Sequence, residues 1–310
     1  MALNAAHLRF VLLARDSGVR FERPLMIGRQ ELFIGPAELR RVLAAAGTQL
    51  TEEHARRLLE EEGGFAEPFF RLLGAAHVDS VDLSSYEGAT IIQDLNAPVP
   101  AVLRNRYSVV IDSGTLEHVF NVAQGFRNCL EMIEEGGYFI TIGPGNNAMG
   151  HGFYQFSPEL YFRILSSQNG FHIERMAVKE MHSATPWYSV TDPAVVGHRV
   201  EWQPVGETHV MVCARKERTV PIFGAVPQQS DYTAATRFDR APTAAHHHVD
   251  QSIYSDSSAR SLRRLVWQRV PPSAKAIYRR LKRLLAVLNR AMSHPDPTCF
   301  KRLDASQLSE

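Results

Sequence analysis

The sequence predicts an α/β domain built on a doubly wound, mostly parallel sheet, and two observations lead to this prediction. Between residue 25 and about residue 216, short runs rich in β-branched and aromatic residues alternate with segments of helical periodicity. The helical segments also carry start and stop signals, as where Pro36 opens one and Gly47 closes it. Parallel strands joined by crossover helices produce this alternation.

Seven strands are expected in this part of the chain, in two groups. The first group comprises the apolar runs at residues 24–28, 77–83, 90–93, 107–111 and 138–142. The second group comprises residues 171–178 and 209–214. Helices are expected between the strands. One follows Thr51, whose side chain and two following glutamates favour a helix start, and another follows Ser157.

The composition argues against several classes of protein. A formal net charge of +1 on 310 residues argues against nucleic-acid binding, which needs a basic field over one face. Cys129, Cys213 and Cys299 lie far apart and form no C-x-x-C pair, so we expect neither a disulfide framework nor a metal site. No run reaches the roughly 18 uncharged apolar residues of a membrane span, and the start lacks the apolar run of a secretory signal. A cytoplasmic protein is therefore expected.

The chain divides by composition into three parts. Residues 1–218 form the predicted α/β domain, residues 219–258 a linker that we expect to be poorly ordered, and residues 259–310 a basic amphipathic helical tail. The three adjacent histidines at 246–248 are expected to lie in a solvated loop. Basic residues dominate 260–302. Two interpretations of this tail stay open: peripheral contact with an anionic membrane, or docking on the main domain or a second subunit.

Acidic residues stand directly after two of the predicted strands. Asp82 ends the second strand, where its carboxylate is placed to accept hydrogen bonds from both ribose hydroxyls of a nucleoside. Asp94 follows the third strand, where it could accept a hydrogen bond from an adenine amine. Because ligands bind beyond the carboxyl ends of the strands in an open parallel sheet, both side chains indicate a nucleoside site at that edge.

Four motifs follow one another along the predicted sheet: VDLS at 81–84, a short strand ending at Asp94, IDSGTLEHV at 111–119 and EEGGYFITIGP at 134–144. Together they resemble the class I S-adenosylmethionine-dependent methyltransferases, in particular the small-molecule type with an LEHV motif. The resemblance implies a Rossmann-like, seven-stranded sheet completed by a hairpin of the last two strands, and S-adenosyl-L-methionine as the cofactor. The cofactor-binding residues it implies are Asp82 with Leu83, Asp94 with Leu95, and, on the methionine side, Ser113 and Gly114.

The turn after the first strand departs from the pattern of that family. The family has a glycine-rich turn there, whereas this chain has Gly28 followed by Arg29, Gln30 and Glu31. Arg29 could replace the missing backbone contacts with a bidentate salt bridge to the methionine carboxylate, so Gly28 and Arg29 join the predicted cofactor-binding set. The alternative is a catalytically degenerate, methyltransferase-like binding module that the basic tail recruits to a membrane or a partner.

The segment at 144–158, after the fifth strand, is the predicted acceptor side of the site. Asn146, Asn147, Tyr154 and Gln155 are expected to bind the substrate from a lid over the sheet edge. An ordered loop whose asparagines bond their own backbone is the alternative. The expected acceptor is a small molecule or a glycan.

Methyl transfer to a hydroxyl acceptor is helped by a general base, and three residues are candidates. His151 lies among glycines and is best placed to contact the substrate, whereas His118 has the alternative role of a buried helix residue bonded to backbone. Asp112, at the end of the fourth strand, could orient an imidazole or bind an amine. These three form the predicted catalytic set.

Overall fold

The computed structural model describes residues 2–181, 185–232 and 295–304. Nearly all of them belong to one compact unit, formed by residues 1–231 and 295–310. Residues 233–258 of the predicted linker, with the histidines at 246–248, and residues 259–294 and 305–310 of the predicted basic tail lie outside the described residues. Within the part of the chain that is described, no helix has the length and apolar character to cross a membrane.

The described residues form a nine-stranded sheet with the order β11-β9-β8-β10-β7-β6-β2-β4-β5, and a separate pair of short strands, β1 and β3. The strands are β1 (Ala2–Leu3), β2 (Pro24–Ile27), β3 (Glu31–Leu32), β4 (Asp79–Asp82), β5 (Ile91–Ile92), β6 (Tyr107–Ser113), β7 (Ile133–Asn146), β8 (Phe171–Glu180), β9 (Trp187–Val190), β10 (Thr208–Lys216) and β11 (Phe300–Leu303). Strands β2, β4, β5, β6 and β7 are parallel, and β10 runs antiparallel to both β7 and β8. The predicted doubly wound, mostly parallel fold with a terminal hairpin is therefore confirmed.

Two edge strands extend the seven that the sequence predicted. Strand β9 pairs antiparallel with β8, and β11 pairs antiparallel with β9. Residues 300–303 fall in the segment predicted as a helical tail, yet they form β11 at the edge of the main sheet. Similarly, Ile222 falls in the predicted linker but is buried in the core. Both segments are therefore part of the α/β unit in the structure.

Helices cover both faces of the sheet. They are α1 (Ala5–Asp16), α2 (Pro36–Ala45), α3 (Glu52–Glu60), α4 (Glu67–Leu72), α5 (Val122–Met132), α6 (Pro158–Ile164) and α7 (Pro193–Val196). Alternate strand residues enter different cores: Leu25 and Ile27 of β2 lie in the cluster packed by α5, whereas Met26 lies in the cluster packed by α1 to α4. This period of two is what a strand buried on both faces requires.

Helix starts follow the signals in the sequence. Pro36 occupies the first turn of α2, and Gly47 lies just beyond its end with φ +78°. Thr51 caps α3, and its side chain accepts the His54 N–H at 3.2 Å. Asn4 caps α1 in the same way, with its side-chain oxygen accepting the N–H groups of the next turn.

A long insertion separates β2 from β4. It contains β3 and the helices α2, α3 and α4, and β3 pairs in parallel with β1 near the amino terminus. The spacing between Gly28 and Asp82 in the sequence is long enough to indicate one inserted helix. The structure shows a larger insertion, and the chain leaves β2 through β3 rather than turning directly into a crossover helix. No helix amino terminus therefore follows the end of β2 directly.

Asn128 on α5 fixes the loop that follows β5. Its buried amide donates to the carbonyl oxygens of Leu95 and Ala97 at 3.0 and 2.9 Å. Its Oδ1 accepts the Val99 N–H at 3.1 Å. The loop that carries Asp94 is thus held by one side chain from a distant helix.

Replacing Asn128 should destabilise the protein substantially. We expect Asn128→Ala to lower the free energy of unfolding by about 2 to 4 kcal/mol, because the Leu95, Ala97 and Val99 backbone groups lose a buried partner. Urea denaturation measures this loss. Gln124→Ala is the control because it removes only the 2.8 Å bond from Gln124 Nε2 to Asn128 Oδ1, and should cost less than about 1 kcal/mol. Equal losses in the two variants would contradict the assignment.

Candidate functional site

The candidate site lies at the carboxyl edge of the parallel strands. Strands β2 and β6 are neighbours in the middle of the sheet. Beyond β2 lie β4 and β5, and beyond β6 lies β7. Ligands bind in open α/β sheets at such a switch point, where adjacent connections diverge to opposite faces. The residues after β2, β4, β5, β6 and β7 therefore define the region to consider.

Asp82 and Leu83 end β4 on the outer side of this edge. Asp82 is half-buried, and its Oδ1 accepts the Leu83 N–H at 2.6 Å. The Leu83 side chain is 67% exposed, so an apolar surface stands beside a carboxylate. Asp82 lies opposite Ile92 in the pairing of β4 with β5, which places Asp94 near the same edge. The structure thus brings the two predicted acidic residues to neighbouring strand ends.

Asp94 is exposed and belongs to a small polar network. Its Oδ1 accepts hydrogen bonds from the backbone and side-chain N–H groups of Asn96, both at 2.8 Å, and the backbone bond lowers the pKa of the Asp94 carboxyl. Asn96 Oδ1 in turn accepts the Asn121 N–H at 2.8 Å. Leu95, predicted in the same set, packs its side chain into the core. Asp94 is therefore presented at the edge while Leu95 anchors its loop.

Arg29 is engaged within the protein. Its Nε donates to Glu67 Oε1 at 2.7 Å and its Nη1 to the Glu87 carbonyl at 2.8 Å. Its guanidinium also lies 4.1 Å from the centroid of the Phe65 ring. Gly28, with φ +71°, supplies the turn before it. The guanidinium thus ties the loop after β4 to the inserted helices, and binding a methionine carboxylate would require it to leave Glu67.

Gln30 occupies the crevice between β2 and β6. The side chain is fully buried, and its Nε2 donates to the carbonyl oxygens of Ile27 at 3.4 Å and Ile111 at 3.2 Å. Its Oε1 is buried without a hydrogen-bond partner. Thr115 Oγ1 also donates to the Ile27 carbonyl. In the sequence-based interpretation, an Arg29 or Gln30 side chain that fills the place of the cofactor favours the binding-module alternative, and Gln30 is the residue found in this crevice.

The amino-terminal segment covers the end of β6. Ser113 Oγ lies 3.4 Å from both the Ala2 carbonyl oxygen and His7 Nδ1. His7 stacks on His209 with 5.2 Å between ring centroids, and burial with the neighbouring His209 lowers the pKa of His7 to about 3. The sequence prediction missed this pair because its members come from opposite ends of the domain.

A buried acidic pair lies at the carboxyl end of β6, with Asp112 in the strand and Glu117 in the turn after it. Asp112 accepts hydrogen bonds from the backbone of Thr115 at 3.1 Å and Leu116 at 3.3 Å, and from Thr141 Oγ1 at 3.0 Å. Glu117 is also buried, but within the described part of the chain neither of its carboxylate oxygens has a hydrogen-bond partner. Burial raises the pKa of both carboxyl groups, and the charge of Glu117 raises that of Asp112 further. The pair therefore retains protons at a higher pH than ordinary carboxyl groups.

Two histidines lie beside Glu117. His151 Nε2 is 3.3 Å from Glu117 Oε1, and the His151 side chain is 52% exposed. The rings of His118 and His151 are 5.2 Å apart. His118 is exposed rather than buried in a helix, so the alternative role predicted for it is wrong. Burial and the neighbouring His151 lower the pKa of His118. The three predicted catalytic residues thus come together, with Glu117 as a fourth member that the sequence prediction left out.

The predicted acceptor-binding residues hold the loop after β7 in place. Asn147 Nδ2 donates to the carbonyl oxygens of Pro204 and Gly206 at 2.8 and 3.0 Å. Tyr154 OH donates to the Phe120 carbonyl at 2.7 Å. Gln155 Oε1 accepts the Ala148 N–H and Asn146 Oδ1 the Asn147 N–H, both at 2.8 to 2.9 Å. These contacts agree with the ordered-loop alternative for this segment.

A cavity of about 330 Å³ opens beside Asn146, at the end of β7. Trp202, Phe300 and Thr208 line it together with Pro158, and Trp202 Nε1 is buried without a hydrogen-bond partner. Its volume and mixed lining are typical of small-molecule sites. The cavity places an indole donor and apolar walls next to the predicted acceptor side.

Comparisons with known proteins give similarity at the level of structure. No protein-family model matches the chain, and no curated protein matches it in sequence. The 1,6-didemethyltoxoflavin-N1-methyltransferase of Burkholderia thailandensis, solved with S-adenosylhomocysteine, is 13% identical with a TM-score of 0.38, covering 69% of this chain and 79% of that one. The N-methyltransferase NodS of Bradyrhizobium japonicum, also solved with S-adenosylhomocysteine, is 12% identical with a TM-score of 0.37, covering 69% and 86%. The [4+2]-cyclase SpnF is 14% identical with a TM-score of 0.38, covering 67% and 79%. Similarities this low leave the reaction of this chain open.

The buried acidic pair should make stability depend on pH. Because the folded-state pKa values of Asp112 and Glu117 are raised, these two groups hold more protons in the folded protein than in the unfolded chain above about pH 4, and their contribution to stability falls as the pH rises. In Asp112→Asn this loss should shrink by up to about 1.4 kcal/mol per pH unit between about pH 5 and 7. Denaturant titrations in buffer freed of divalent cations measure the slopes. Identical slopes in the two proteins would contradict the raised pKa.

Proposed function

We propose that this chain binds S-adenosylmethionine and transfers its methyl group to a small-molecule or glycan-type acceptor. The observation that carries the proposal is the pair of acidic residues, Asp82 and Asp94, at adjacent strand ends beside the switch point. The fold has the parallel strands and the antiparallel hairpin that the motif resemblance implied. The acceptor is proposed from the cavity next to Asn146 and from the loop that carries His151.

The residues present fit the nucleoside half of this cofactor. Asp82 is a half-buried acceptor suited to a ribose diol, and the exposed Leu83 side chain offers an apolar surface to an adenine ring. Asp94 is suited to accept a hydrogen bond from the adenine amine. When bound, the cofactor supplies an electrophilic methyl group on a sulfonium.

Gln30 lies in the crevice that the methionine half of the cofactor would have to enter. Gln30 Nε2 uses the Ile27 and Ile111 carbonyl oxygens that line the crevice, so an ammonium group that bonds to them must displace the amide. The buried Oε1 of Gln30 lacks a partner, so withdrawal of this side chain relieves one unsatisfied group. The nucleoside half thus fits as it stands, and the methionine half fits once Gln30 moves.

The proton of a hydroxyl acceptor goes to His151 in this proposal. Asp112 is enclosed by its own hydrogen-bond donors, whereas His151 is half-exposed next to the Glu117 carboxylate. Glu117 Oε1, 3.3 Å from His151 Nε2, is the carboxylate placed to orient this imidazole. The loop after β7, which carries His151, would hold the acceptor beside this group, and methyl transfer would require the acceptor nucleophile in line with the sulfonium.

Binding of S-adenosylhomocysteine tests the proposal directly. Titration calorimetry should detect binding to the wild type, and Asp82→Ala should weaken it at least tenfold because the ribose loses a charged acceptor. Asp82→Asn should weaken it less. Glu53→Ala, on the exposed face of α3, is the control and should leave the affinity unchanged. No detectable binding at millimolar ligand, or equal affinity in Asp82→Ala and the wild type, would refute the proposal.

A second candidate function is a methyltransferase-like binding module, which the filled crevice at Gln30 and the engagement of Arg29 with Glu67 favour. In such a module the edge would accept a nucleoside without the methionine chain. The two functions predict different affinities: a methyltransferase should bind S-adenosylhomocysteine, whereas the binding module should bind adenosine but not S-adenosylhomocysteine.

Replacing Gln30 separates these functions. If the chain uses the whole cofactor, Gln30→Ala should raise the affinity for S-adenosylhomocysteine several-fold, because the Ile27 and Ile111 carbonyl oxygens become available to the ammonium group. Its affinity for adenosine should not change. A wild type and variant that both bind adenosine but not S-adenosylhomocysteine would favour the binding module. Thermal melting establishes that the variant is folded.

A further inference from the structure

We propose that Glu117, His118 and His151 form a binding site for a divalent transition-metal ion, with Zn²⁺ as the first candidate. Glu117 and His118 belong to the short 3-10 turn after β6, and His151 lies in the loop after β7. The inference does not depend on the proposed methyl transfer, because the three side chains are sufficient to bind a metal without a cofactor.

The positions of the ligand atoms suit one ion. One ligand atom from each residue lies within 4.8 Å of the others. His151 Nε2 and Glu117 Oε1 are 3.3 Å apart. Two ligands of a tetrahedral Zn²⁺ ion at the usual bond lengths are roughly 3.3 Å apart. Two of the three ligands thus already have the required spacing, and rotation of the exposed His118 side chain completes the set.

The buried Glu117 carboxylate supplies the independent evidence. Its side chain is 1% exposed, and both of its oxygens lack a hydrogen-bond partner among the described residues. A buried carboxylate without donors carries a desolvation penalty, which a cation bound next to it would offset. Asp112 shows the contrast, since backbone and Thr141 donors satisfy its oxygens. Of these two buried carboxylates, Glu117 is therefore the one whose oxygens are not stabilised by hydrogen-bond donors of the described residues.

The backbone holds the two ligand-bearing segments together. The Phe153 and Tyr154 N–H groups both donate to the Glu117 carbonyl oxygen, at 2.7 and 3.2 Å. Gly152 permits this approach: it has φ +72°, and a Cβ there would lie 2.8 Å from the Glu117 carbonyl oxygen. His151 is thereby fixed relative to Glu117 by main-chain contacts, a preorganisation that metal sites need.

The ligand set indicates the type of site. Two imidazoles and one carboxylate leave a fourth position for water or a substrate oxygen, as in catalytic rather than structural zinc sites. Both imidazoles are exposed and the carboxylate is buried, so the open position faces solvent at the sheet edge. A metal there would compete with protons for His151 and Glu117, and would lower the pKa of a bound water or hydroxyl.

A second cluster, formed by His198, Asp296 and Cys299, provides a matched control. Asp296 Oδ1 already accepts hydrogen bonds from the Thr298 N–H at 2.9 Å and from Thr298 Oγ1 at 2.7 Å. This carboxylate therefore has the donors that Glu117 lacks. Replacing Asp296 by asparagine tests the same chemical change at a different place.

The test measures Zn²⁺ bound to the full-length chain by competition with a chromogenic chelator. We expect Glu117→Gln and His151→Ala each to remove one equivalent of bound Zn²⁺, or to weaken it at least tenfold, whereas Asp296→Asn keeps that equivalent. The half-exposed His151 can be truncated without disturbing the core, which guards against misfolding of the Glu117 variant. Unchanged stoichiometry and affinity in both Glu117→Gln and His151→Ala would overturn the proposal.

Cobalt substitution identifies the ligands. Co²⁺ bound to the proposed site should show visible d–d absorption without a thiolate charge-transfer band, because its ligands are nitrogen and oxygen. The d–d absorption should be lost in His151→Ala and persist in Asp296→Asn. A thiolate band that persists in His151→Ala and disappears in Asp296→Asn, with no other d–d absorption, would place the metal at Cys299 and refute the proposal.

Discussion

Strand β6 is the element on which the fold and the candidate site both depend. All seven of its residues are buried, and it pairs with β2 on one side and β7 on the other. Water cannot reach the strand, so the polar groups at its carboxyl end must find partners inside the protein. Asp112 finds them in Thr115, Leu116 and Thr141, and this requirement shapes the turn that presents Glu117 and His118. The chemistry at the sheet edge is thus a consequence of burying the central strand.

The fold was predictable where the signal is local. The start of α2 at Pro36 and the cap of α3 at Thr51 depend on a few adjacent residues, and the central strands are continuous apolar runs. Strands β9 and β11 were not predictable, because each is only four residues long and β11 pairs with a strand that is distant in the sequence. Helix α1 was missed although Asn4 caps it, because its buried residues run almost continuously from His7 to Ala14 and do not show the spacing of an amphipathic helix.

The same division applies to the candidate site. Asp82 and Asp94 were predictable because each follows its own strand, and parallel pairing then brings them together. The states of Arg29 and Gln30 depend on groups supplied from elsewhere, namely Glu67 for the guanidinium and the Ile111 carbonyl for the amide. The contact between His151 and Glu117 likewise needs the loop after β7 to fold back on the turn after β6. A sequence shows which polar groups stand at strand ends, but only the folded chain shows which are already satisfied.

Two buried acceptors near the end of β6 remain unsatisfied, and they bear on whether this edge binds a ligand. Gln30 Oε1 lies toward β2 and the Glu117 carboxylate toward β7. Each unpartnered buried acceptor costs about 1 to 3 kcal/mol, and more when it is charged. This destabilisation is not offset by other hydrogen bonds of the two side chains' unpaired oxygens. The neighbouring polar groups are already paired, by Gln30 Nε2 on one side and by the donors to Asp112 on the other. Ligands that bring a donor to the first and a cation to the second would remove both costs, so this edge is better satisfied when occupied.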